Sequence, residues 1–95
     1  MARFTVRIEL RNSRNGDGYE ALNRAMEAHG FSRLIERSDG RRYHLPSAEY
    51  RMVGRRTRSQ VCRLAKAGVA DAAGEASILV TEGRCSWHNL RGSPA

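Results

Sequence analysis

Residues Ala2–Leu10, A-R-F-T-V-R-I-E-L, alternate without a break. Phe4, Val6, Ile8 and Leu10 share one parity, and Arg3, Thr5, Arg7 and Glu9 share the other. A two-residue period places the first set on one face of a strand and the second on the opposite face. Apolar, β-branched and aromatic residues favour the same reading. One face therefore belongs to a core and the other to water or a partner, as in an antiparallel sheet covered on one side only.

The rest of the 95-residue chain can supply one further layer. A chain of this length buries a modest fraction of its surface, so one sheet beneath one helical layer is what it can sustain. No apolar run approaches the ~20 residues of a membrane-spanning helix. The chain opens directly into a strand, without a secretory type of hydrophobic segment and cleavage site. Cys62 and Cys85 do not make a disulfide framework and read as reduced thiols of a cytoplasmic protein.

Beyond the first strand, Arg11–Gly16 is a polar loop with an Asn-Gly turn signal. Asp17 and Glu20 have capping-box spacing. Tyr19, Leu22, Met26 and His29 form one stripe of a helix over Gly18–His29, ended by Gly30. Phe31–Ser38 is expected to be a second strand, turning at Asp39-Gly40 into a third over Arg41–Val53. The apolar parity changes across Pro46, from Tyr43 and Leu45 to Ala48, Tyr50 and Met52, which predicts a bulge or break near Pro46-Ser47. Thr57 and Gln60 repeat the capping-box spacing. Val61, Leu64, Ala65, Gly68 and Ala72 are the inner stripe of a second helix ending at Gly74. Ala76–Thr81 is a fourth strand, Cys85–Leu90 a short fifth, and Arg91–Ala95 a frayed tail after a single domain spanning 1–90.

The order β-α-β-β-α-β predicts a ferredoxin-like sandwich, with both helices on one face of one antiparallel sheet and the first strand in its middle. Its expected core is Phe4, Val6, Ile8, Leu22, Met26, Phe31, Ile35, Val61, Leu64, Ile78 and Val80.

Charge is the main functional signal. The net charge is +7, and sixteen of the seventeen basic residues are arginine. Guanidinium groups favour bidentate contacts with phosphate or carboxylate, which points to a nucleic acid or an acidic protein surface. No acidic residue separates Glu49 from Asp71, while Arg51, Arg55, Arg56, Arg58, Arg63 and Lys66 all fall in that interval. Three of them crowd the start of the second helix, where the dipole disfavours cations and free amides favour a phosphate. A bound anion there would relieve the repulsion; a solvated basic loop is the plainer alternative. Arg3, Arg7 and Arg42 add charge to the open sheet face. That face has no glycine-aromatic signature of an RNA-recognition motif, and charged open sheets of this kind often close on a second copy, so a homodimer is expected.

Catalytic signals are sparse. There is no phosphate-binding Walker loop and no metal-ligand spacing, so no metal or cofactor is implied. His44, within R-R-Y-H-L-P, is the candidate acid or base beside bound phosphate; a surface role is the plainer alternative.

F-T-V-R-I-E-L, G-F-S-R, Y-H-L-P-S-A-E-Y at 43–50, T-R-S-Q-V at 57–61 and I-L-V-T-E-G-R-C-S-W-H together resemble small bacterial proteins of the GhoS-type antitoxin group. The resemblance spans nearly the whole chain and implies a ferredoxin-like fold with RNA binding or metal-independent endoribonuclease activity. It transfers no catalytic residue. The alternative function is that of a protein-binding inhibitor carried by a phage or mobile element, of anti-CRISPR type, that occupies a surface of a nucleic-acid-processing complex.

Overall fold

The computed structural model describes residues 1–11, 17–72 and 74–94. The Asn-Gly turn signal before residue 17 and the side chain of Asp17, the expected helix cap, lie outside the described residues. In chain order the elements are β1 (Ala2–Leu10), α1 (Asp17–Ala28), β2 (Leu34–Glu36), β3 (Arg42–His44), β4 (Glu49–Gly54), α2 (Arg58–Ala72), β5 (Ala76–Glu82) and β6 (Gly92–Ser93).

The alternating segment is the central strand of a three-stranded antiparallel sheet ordered β4-β1-β5. Phe4, Val6 and Ile8 are fully buried, and Leu10 nearly so. Both helices pack on this face, contributing Leu22 and Met26 from α1 and Val61, Ala65 and Val69 from α2 to one core. The helices approach closely at Gly68, where an added Cβ would stand 2.6 Å from the Met26 Sδ. Of the expected core, Leu64, Ile78 and Val80 are partly buried, whereas Leu45, Tyr50, Met52 and Val69 join the buried set.

The capping signals have local physical counterparts. α1 ends in a Schellman arrangement: the Gly30 amide donates to Glu27 O at 3.0 Å and the Phe31 amide to Met26 O at 3.0 Å, with Gly30 at φ 93°. At the start of α2, the Thr57 amide donates to Gln60 Oε1 (2.8 Å) and the Gln60 amide to Thr57 Oγ1 (3.1 Å). That is the reciprocal capping box.

The single four-stranded ferredoxin-like sheet does not form. The architecture is α+β with two small antiparallel sheets, the second ordered β2-β3-β6. The Asp39-Gly40 hairpin is present, pairing Leu34 with His44 and Glu36 with Arg42. It belongs to the second sheet because the chain breaks between β3 and β4. Pro46 lacks an amide donor, and Ala48 has φ 68°. The carbonyls of Leu45, Pro46 and Glu49 accept from the Arg33 guanidinium rather than from a neighbouring strand. The expected strand Phe31–Ser38 therefore shortens to β2. The sheets remain linked by one isolated bridge, in which Ser32 and Arg51 exchange backbone hydrogen bonds of 2.8 and 2.7 Å.

The C-terminal segment also departs from the sequence reading. Residues 85–90 form no strand, and the expected frayed tail contains β6, which pairs with β3. After β5 the chain turns at Gly83 (φ 141°), whose amide donates to Arg3 O. It then crosses the outer face of the first sheet, passing Thr5 and Arg51 at Cys85 and reaching Tyr43 at Trp87. This strap turns what would have been an open sheet face into one wall of a groove. Among the described residues, no helix is long and apolar enough to cross a membrane.

Candidate functional site

The groove lies between the two sheets and encloses about 1200 Å³. On the first sheet the groove's guanidinium groups follow from the strand pattern. Arg3 and Arg51 stand on the outer parity of β1 and β4, opposite the helical layer. Arg42 comes from β3, Arg37 from the hairpin, and Arg84 from the strap. The one carboxylate lining the groove is Glu36, which stands 3.8 Å from Arg42. Five guanidinium groups therefore face one carboxylate.

Arg51 is the unusual member. It is only 8 % exposed, the sole charged side chain among the buried residues described. Its Nη1 donates to Thr5 Oγ1 at 2.8 Å, Cys85 Sγ at 3.3 Å and Gly83 O at 3.4 Å. These acceptors are all neutral side-chain or main-chain groups, and no described carboxylate forms an ion pair with Arg51. Burial of a cation without a counterion is costly, and neutral acceptors offset only part of that cost.

Aromatic surface adjoins the charge. Trp87 is partly buried, lines the groove and contacts Tyr43 with ring centroids 5.7 Å apart and planes tilted by 52°. Arg37 donates to the Tyr43 hydroxyl at 3.3 Å. That hydrogen bond, with the charge of Asp39, holds the Arg37 guanidinium above its ordinary pKa.

The basic interval read from the sequence is divided by the sheet. Arg51 enters the groove, whereas Arg63 and Lys66 are exposed positions of α2, on the helical side. Arg55 and Arg56 are exposed in the connection before α2, and Arg58 approaches Glu82 at 3.9 Å. The capping box already engages the Thr57 and Gln60 amides, so the end of α2 offers fewer free donors than its sequence implied. Arg42 lines the groove. His44 is exposed on β3, opposite Leu34 in register, and does not line it. Among the described residues, no three His, Cys, Asp or Glu side chains converge as metal ligands do.

Sequence reasoning placed Arg3 on the correct face but omitted it from the candidate site, together with Arg37, Arg84 and Trp87. The outer parity of β1 pointed to Arg3. Nothing in the periodicity of residues 83–91 indicated that they would cross above it. Against family models, curated proteins and solved structures, the chain matches none.

Proposed function

We propose that the protein binds single-stranded RNA, with the phosphodiester backbone held in the arginine groove and bases stacked on Trp87. The observation carrying this reading is Arg51, a buried guanidinium that forms no ion pair with a described carboxylate and lines a groove where arginines outnumber acids five to one. A phosphate supplies the missing countercharge and accepts from a guanidinium in bidentate fashion. Positively charged grooves with an adjoining aromatic platform are the usual means of holding single strands, with stacking worth about 1–3 kcal/mol per base.

RNA rather than DNA is the choice implied by the resemblance to GhoS-type antitoxins. The role is one of binding. His44, the candidate acid or base, lies away from the groove lining, so no cleavage step is assigned.

Titrating the protein with a labelled single-stranded RNA, while following the intrinsic fluorescence of Trp87, tests the reading. The expected result is a fluorescence change that saturates and weakens steeply with salt. A parallel titration with single-stranded DNA reports whether the 2′-hydroxyl matters. Absence of binding to either strand at low salt would overturn the proposal.

A further inference from the structure

β5 is an edge strand of the first sheet. Among the described residues β5 pairs only with β1, leaving its other edge without a strand. It is seven residues long, A-S-I-L-V-T-E, with no lysine, arginine, proline or positive-φ residue within it. Natural sheets blunt such edges with charges, prolines or bulges because unpaired amides and carbonyls recruit other strands. Leu79, at the middle of this edge strand, is 64 % exposed.

We infer that β5 pairs antiparallel with β5 of a second copy, about a two-fold axis at Leu79. This inference does not depend on RNA binding. An isologous strand pair must be self-complementary, and opposite residues must share a face. Centring the axis at Leu79 satisfies both conditions. Leu79 meets the partner's Leu79 on the outer face, with Ser77 opposite the partner's Thr81. Ile78 meets the partner's Val80 on the helical face, and Glu82 falls opposite the partner's Ala76 at the end of the ladder. Centring at Val80 would instead place Glu82 against the partner's Ile78. Centring at Ile78 would extend the ladder to Glu75, beyond the strand. The Leu79 register matches apolar with apolar groups and keeps the carboxylates at the ends.

Charge selects the same edge. Two copies of a chain carrying +7 repel one another. β5 itself carries no cation and a single carboxylate, Glu82. Arginines stand near its ends: Arg11, which donates to Ser77 Oγ at 2.9 Å, and Arg58, 3.9 Å from Glu82. The stretch around Leu79 is therefore where two copies can meet. Pairing produces a six-stranded sheet in which β5 and the partner's β5 lie at the centre. A two-fold axis perpendicular to that sheet leaves both arginine grooves on the same side. Salt screens the repulsion between copies, so dimerisation strengthens with salt while RNA binding weakens.

Sedimentation velocity across a wide concentration range tests the inference on the intact chain. The expected mass rises from 10.6 kDa towards twice that value, and the rise shifts to lower concentration at higher salt. Leu79→Glu places two carboxylates across the axis while giving neighbouring Arg7 a counterion within each chain. Its expected behaviour is monomeric, with an unchanged circular dichroism spectrum. Val53→Glu, at another exposed apolar site on the outer face, retains the dimer. A wild-type chain that stays at 10.6 kDa throughout, a Leu79→Glu variant that dimerises normally, or a Val53→Glu variant that becomes monomeric would each overturn the edge pairing.

Discussion

Arg51 donates to Thr5 across the β1–β4 ladder, at 2.8 Å, from directly opposite positions in register. The pair places a buried cation on the sheet face away from the helices, where the strap covers it with neutral groups. Under the proposed RNA binding, this arrangement would separate the requirements of folding from those of binding. Arg51→Met removes the desolvated charge while retaining an unbranched, adaptable side chain. Thermal stability is expected to be unchanged or higher, whereas RNA affinity falls about tenfold or more, a loss of about 1.4 kcal/mol. Calorimetry and RNA titration on the same variant check the two effects. Loss of stability without loss of affinity would make Arg51 a structural residue.

The groove and the start of α2 are two candidate phosphate sites, and salt dependence distinguishes them. For single strands, each neutralised phosphate contributes about −0.7 to the slope of log affinity against log salt. Arg3→Ala and Arg84→Ala each remove one groove cation, so each is expected to make that slope shallower by about this amount. A paired Arg55→Ala, Arg56→Ala change is expected to alter it less than either. The opposite ranking would move the site to the helix start.

Some of this arrangement was legible in the sequence, for identifiable reasons. β1 alternates over nine residues, so its buried and exposed faces follow from side-chain parity alone. Thr57 and Gln60 carry their own geometry through a three-residue spacing, and their capping box forms. Pro46 announced the break but not its consequence. Separation of the hairpin into a second sheet depends on Arg33 reaching three carbonyls 12 to 16 residues away. No local pattern records such a contact. The groove was hidden for the same reason: Arg3, Arg42 and Arg84 are distant in sequence and come together only because the strap crosses β1.

Arg33 therefore has a structural role that its charge alone would obscure. Its Nη1 donates to Pro46 O (2.8 Å) and Glu49 O, and its Nη2 to Leu45 O (3.0 Å). Its guanidinium carbon also stands 5.6 Å from the centre of the Tyr50 ring. Arg33→Ala leaves carbonyls of the β3–β4 break unpaired, at an expected cost of about 2–3 kcal/mol. Arg33→Lys recovers little, because a single ammonium cannot reproduce the planar fork. Chemical denaturation compares the two. Near-complete recovery by lysine would show that charge, rather than the forked geometry, holds the break.

Tyr50 gives the fold an alkaline limit. Its side chain is fully buried, and its hydroxyl donates to Asn23 Oδ1 at 2.5 Å. Burial pushes its pKa up to about 12, against the opposing influence of the Arg33 charge. The unfolded phenol titrates near 10. Between these values the folded chain retains a proton that the unfolded chain releases, so stability must fall as pH rises. The contribution is intact below about pH 10 and is lost on passing through about pH 12, amounting to about 3 kcal/mol at most. Tyr50→Phe loses the Asn23 hydrogen bond and is less stable at neutral pH, but it has no phenol to ionise. Its melting temperature is therefore expected to decline less than that of the wild type between pH 10 and 12. Parallel declines would assign the alkaline transition to other groups.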